Sequence, residues 1–238
     1  MILSYKQIND IAQEITSSYC EDVFAPVNIE GLLKDKLGIS IEYYTLHPRG
    51  MILGMCSNQR QIVKVKDGNE ILLAELNENV IFIDNSLKDR RMEGCRNFTI
   101  AHEGGHHFLF QLENRKDSTA FRYYRESYGC REFDWDEWQA DAMASCLTMP
   151  EKNVRYVFEL FFQKSHVNKI TPFNRVEYIA FSAMADFFKV SKTAMAIRLK
   201  KLNLINSFNL SKSIDTPEKK TYLPCRRFCR SMCLKSII

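Results

Sequence analysis

Histidine is scarce in this chain, five in 238 residues, yet three of the five fall together at His102, His106 and His107. His102 and His106 are four apart, so on a helix they stand one above the other on a single face, where two imidazoles can bind one zinc ion. Glu103 sits about 100° round the helix from His102. There it can reach a water on the metal but is poorly placed to complete the tetrahedron itself. This is the HExxH arrangement, with Glu103 as general base. The metal is needed because it drops the pKa of water from about 15.7 to about 7, which gives a hydroxide nucleophile at neutral pH. His107 points about 100° away from His106 and reads as a packed or surface imidazole.

A third ligand must come from elsewhere. Helical spacing resumes at Asp136 in DEWQADAMASCLTMP and is stopped by Pro150. Glu137 and Asp141 are again four apart and share a face, whereas Gln139 points elsewhere. One carboxylate from this second helix would complete a three-ligand catalytic site with an open position, and the other would hydrogen-bond a ligating imidazole. Glu137 is the preferred ligand because the glutamate-first ExxxD order matches that of thermolysin-like zinc peptidases. Asp141 stands as the alternative.

The rest of the chain supplies elements that can hold these two helices. Ile8, Ile11, Ala12 and Ile15 follow helical spacing. Asn28 caps a second helix that ends at Gly38. Ile39, Ile41 and Tyr43 alternate with polar neighbours, the period of a half-buried strand. Residues 51–56 and 61–66 are further strands, the Asp67-Gly68 pair turns the chain back toward residues 71–76, and residues 80–83 form a buried inner strand. The HExxH helix follows after an approach over residues 86–96. Between residues 111 and 132 charge and aromatics replace any period, which predicts a surface loop flanking the site.

Composition is that of an ordinary globular protein, and a net charge of +4 does not mark the whole chain as a nucleic-acid binder. The N-terminus has the spacing of a helix rather than a signal peptide, and no apolar run is long enough for a membrane span, so a soluble, cytoplasmic protein is expected. Eight cysteines are then expected as reduced thiols. Cys20, Cys56, Cys95, Cys130 and Cys146 read as core fillers. Cys225, Cys229 and Cys233 repeat every four residues in a basic tail, where a metal, redox or acylation role competes with an incidental cysteine-rich end.

Three blocks in order, RNFTIAHEGGHHFLF from Arg96, EWQADAMASCLTMP from Glu137 and FKVSKTAMAIRLKKLNLI from Phe188, resemble the ImmA/IrrE family of metallopeptidases over residues 26–205. The resemblance implies an α+β fold: a small zincin-like domain over residues 1–150, with a small sheet, the HExxH helix and the third-ligand helix. A helical, helix-turn-helix-like region over 151–207 and a basic cysteine-rich tail over 208–238 would follow. It further implies Zn2+ held by His102, His106 and Glu137, with Glu103 as the base, in a gluzincin-like endopeptidase. Its substrate would be a regulatory protein, an XRE-type helix-turn-helix repressor of a mobile element, prophage or stress regulon. The family usually carries a large apolar residue where this chain has Gly104.

Around residues 187–205, Val190-Ser191 can start a helix with Ala194, Ile197, Leu199 and Leu202 inward and Lys192, Arg198, Lys200 and Lys201 outward. One short basic helix falls short of the several phosphate contacts and base-reading side chains of specific DNA binding, so independent DNA binding is not expected. Two other classes remain beside the peptidase: an anti-repressor that binds without cutting, and a DNA-binding regulator with a vestigial site.

Overall fold

The computed structural model describes residues 2–20, 22, 24–112 and 134–210. Helix α1 (Tyr5–Ser17) opens on a two-way cap, in which Ser4 accepts from the Gln7 amide and the Gln7 side chain accepts from that of Ser4. Ile8 and Ala12 turn inward, as their spacing predicts. Helix α2 (Ile29–Leu37) starts under Asn28 and ends on Gly38, whose φ of 68° is left-handed.

The strands are β1 (Ser40–Tyr44), β2 (Gly54–Met55), β3 (Gln61–Asp67), β4 (Glu70–Leu76) and β5 (Val80–Asp84). β5 is the middle strand of a three-stranded sheet, parallel to β1 and antiparallel to β2, and all its residues are buried. Its unbroken apolar run has that cause, since both faces of the sheet are covered. β3 and β4 form a hairpin. Two sequence expectations shift here. The strand expected over residues 51–56 pairs only at Gly54 and Met55. The hairpin turns at Gly68 and Asn69 rather than at Asp67-Gly68, because Asp67 still pairs with Glu70 while Gly68 takes the left-handed φ of 56°.

Two short 3-10 turns, Asn85–Lys88 and Arg90–Met92, lead into α3 (Glu93–Leu112), which therefore begins three residues before Arg96. Helix α4 (Trp135–Thr148) starts under Asp134, whose carboxylate accepts from the amides of Asp136 and Glu137. The expected surface loop lies almost entirely in residues 113–133, outside the described residues; so do Cys130 and the tail bearing Cys225, Cys229 and Cys233.

Beyond Pro150 come α5 (Glu151–Phe162), β6 (Val167–Ile170), α6 (Arg175–Phe187), α7 (Lys192–Lys201) and β7 (Ile205–Phe208). The region is thus not wholly helical, because β6 and β7 pair in parallel. Four-residue strands are too short to carry a period that sequence reading can detect. Ser191 caps α7 through the Ala194 amide, but the inward face is turned from the expected one. Met195, Ala196, Leu199 and Leu202 are buried, Ala194 and Ile197 only half so, and Arg198, expected outside, is fully buried. Its guanidinium donates to Met149 O (2.9 Å), Tyr5 Oη (2.6 Å), Cys146 Sγ (3.3 Å) and Asn9 Oδ1 (2.7 Å). Three apolar clusters form the core: one joins α1, α2 and the sheet to α3 and α4, one lies under the hairpin, and one runs from Met149 to Ile205. Among the described residues, no helix is long and apolar enough to cross a membrane.

Candidate metal centre

Glycines set how closely α3 is approached. A Cβ at Gly105 would lie 3.2 Å from both Ala140 O and Met143 Cβ, so the missing side chain lets α4 come in against the histidine helix. At Gly104 a Cβ would fall 2.5 Å and 2.7 Å from the two methyls of Leu33, a fully buried residue of α2. Strand β2 closes a third side, because a Cβ at Gly54 would lie 2.7 Å from Glu103 Oε1 and 2.8 Å from Thr99 Cγ2. Two adjacent helical glycines cost about 1 kcal/mol each relative to alanine. The close approach of α2 and α4 offsets that cost and brings the polar groups together.

His102 Nε2 lies 3.3 Å from Glu137 Oε2, and His106 Nε2 lies 3.2 Å from Glu137 Oε1. Ligand atoms of the three residues all fall within 4.8 Å of one another. His102 and His106 meet edge to face at 4.9 Å between ring centroids, and Phe110 stacks near His106 at 6.1 Å. Asp141 stands on the other side of His102, with Oδ1 3.0 Å from Nδ1. With the proton on Nδ1, His102 donates to Asp141 and turns the Nε2 lone pair toward Glu137. Glu137 thus faces both imidazoles, whereas Asp141 meets only the far nitrogen of His102.

The electrostatics fit a cation. Burial alone would raise the pKa of Glu137, but the His106 and His102 imidazoles outweigh it and hold the carboxyl well below the usual range. Burial would lower that of His102, yet the hydrogen bond to Asp141 and the Glu137 carboxylate beside Nε2 raise it well above its ordinary value. Positive charge is favoured between these groups, and His102 Nε2 is buried with no hydrogen-bond partner. A buried nitrogen left in that state calls for an explanation, and a divalent cation provides one. Two imidazoles and one carboxylate are a donor set suited to zinc.

Glu103 is buried, and its Oε1 likewise has no hydrogen-bond partner. Burial raises its pKa, against the charges of His102 and His106 and a hydrogen bond with the Cys56 thiol. His107, set apart at the sequence level, is buried, and burial together with His106 lowers its pKa to about 4. Sequence reasoning passed over Gly54 and Cys56. An isolated glycine within a strand pattern was the available signal for the first, since it marks a close backbone approach; nothing in the spacing of Cys56 pointed to Glu103.

Two helix-borne histidines, a carboxylate from a second helix and a buried glutamate beside them compose a site of the kind found in metal-dependent hydrolases. The IrrE N-terminal-like domain model, Peptidase_M78, matches residues 62–200, more than half of the chain, and the chain belongs to this family of metal-dependent peptidases. The match is narrower than the resemblance over 26–205, starting in β3 and ending within α7. Comparison with curated proteins gives no match.

Proposed function

We propose that this chain is a zinc-dependent endopeptidase of the cytoplasm that cuts a regulatory protein, an XRE-type helix-turn-helix repressor. The observation that carries the reading is the buried Glu103 Oε1, which has no hydrogen-bond partner beside a His102, His106 and Glu137 set whose ligand atoms lie within 4.8 Å of one another.

His102, His106 and Glu137 would hold the zinc, and Asp141 would orient His102. When bound, the metal supplies Lewis acidity toward water and the peptide carbonyl. Glu103 takes the proton of the attacking water and passes it to the leaving nitrogen, and its burial favours the protonated form in between. β2 is an edge strand of its sheet and Gly54 packs on Glu103, so an extended substrate segment pairing along β2 would run past the base.

A division near residue 150 goes with this reading, with a peptidase domain over 1–150, a second region over 151–207 and the tail over 208–238. The separate buried clusters, one ending at Leu147 and the other beginning at Met149, support it. The helix-turn-helix-like character of α6 and α7 rests on their short connection over residues 188–191. In this chain that connection serves α3: a Cβ at Gly94 would lie 2.7 Å from the Val190 carbonyl carbon, and Asn97 Nδ2 donates to Lys189 O at 3.1 Å. With Arg198 buried, Lys192, Lys200 and Lys201 are the exposed cations of α7, which favours docking over independent DNA recognition.

Co-expression with the candidate repressor is the test. The intact protein is expected to yield defined fragments, and Glu103→Gln to lower cleavage by about 10² to 10⁴ while retaining its metal. Repressor inactivated without fragments, and equally well by Glu103→Gln, would make the protein a binding anti-repressor instead.

A further inference from the structure

Helix α6 buries one face under α5 and α7 and leaves a second apolar face uncovered. Phe181, Met184 and Ala185 point into the core, whereas Val176 and Ile179 are 78% and 68% exposed. Ala180, Ala183 and Phe187 follow at helical spacing and are half-buried, Ala180 and Phe187 resting one side on the core and leaving the other beside Val176 and Ile179. Among the described residues nothing covers Val176 and Ile179. Single exposed aliphatics need no explanation, but a contiguous row along one helix does.

The charges beside this row identify what fits it. Arg175 and Asp186, both exposed, are eleven residues apart, which places them within about 20° of each other on the same flank of the row. When two such helices pack antiparallel about a twofold axis, like flanks meet. With the axis near the middle of α6, Arg175 of one copy falls beside Asp186 of the other, and the contact occurs twice. The small Ala180 and Ala183 let the helices approach, while Val176 and Ile179 fill the space between them. We infer that α6 is a self-association surface, through which two copies of this chain pair antiparallel, helix to helix.

The 13 residues of α6 make a row about 20 Å long. That is smaller than a standard interface of about 800 Å² per partner, so pairing is expected at roughly 10 to 500 µM. Sedimentation velocity of the full chain under reducing conditions, run across that range, reads it directly. The mass is expected to climb from the 27.8 kDa of one chain toward twice that value. Ile179→Lys is expected to weaken association at least about tenfold. Arg175→Asp and Asp186→Arg should each do so about tenfold by placing like charges opposite one another. Mixing these two charge variants should restore pairing, because each flank then meets its opposite, and recovery on mixing also shows that both variants are folded. A chain that stays monomeric throughout overturns the inference. So does a dimer indifferent to Ile179→Lys and to both reversals, and so does a mixture that fails to recover.

Discussion

Helix α4 has a buried polar cluster at each end, and the two are built on opposite rules. At its C-terminal end every nitrogen of the Arg198 guanidinium has a partner, drawn from α1, α4 and the Met149 carbonyl. At its N-terminal end Glu137 and Asp141 meet α3, where His102 Nε2 and Glu103 Oε1 have no hydrogen-bond partner. Arg198, His102 and Glu103 are all buried, so burial of the central groups does not distinguish the two ends. Completion does: a finished network fixes a structure, whereas an unfinished one keeps room for a ligand and a reaction. Arg198 is the cationic pin that holds the C-terminal helices to α1 and α4, and α4 in turn carries Glu137 to the histidines.

The largest effects should come from the unfinished end. His102→Ala and Glu137→Ala are each expected to abolish tight metal binding, read as zinc content after dialysis. Asp141→Ala should weaken it by about 10- to 100-fold, the usual cost of losing an orienting carboxylate. An Asp141 variant emptied of metal beside a metal-replete Glu137 variant would exchange their roles.

Removing the pin should do the reverse. Arg198→Met keeps bulk but leaves Met149 O and Asn9 Oδ1 without their donor, and a loss of about 2 to 4 kcal/mol is expected in urea unfolding. Metal stoichiometry of the folded fraction should not change. A variant as stable as the original would mean that the network contributes nothing net, and the comparison between the two ends of α4 would fail.

Legibility in sequence divides along the same line. The spacing of His102 and His106, and that of Glu137 and Asp141, is a local property of one helix each, so both pairs were readable. Asn28, Gly38 and Ser191 were readable as helix ends for the same reason. The contact between the pairs depends on Gly105 facing Ala140 across two helices, which no local period encodes. Arg198 was assigned to the surface because a charged residue normally lies there, and the partners that allow its burial come from positions 5, 9, 146 and 149, far away in sequence. The β6–β7 pair was missed because each strand is only four residues long.

Gly104 gives the finest test, since it separates a defect from a packing exchange. Sequence alone, with a glycine where the resemblance leads one to expect a large apolar residue, suggests a loosened helix beside the histidines. In the structure the space is full, because Leu33 reaches in from α2 and its Cδ2 would lie 2.5 Å from a Cβ at position 104. Leu33 is fully buried and has little room to retreat. Gly104→Leu is therefore expected to lower stability by about 1 to 3 kcal/mol through overpacking, despite the better helix propensity of leucine. Leu33→Ala alone should also destabilise, by about 2 to 5 kcal/mol, through the cavity it leaves. Combined, the two changes should cost clearly less than their sum, because the new leucine fills the space the old one vacates. Urea midpoints of the four proteins give that coupling. A favourable coupling energy of about 1 kcal/mol or more makes Gly104 and Leu33 one packing unit, whereas strict additivity would return Gly104 to being a weak point in the helix that bears the histidines.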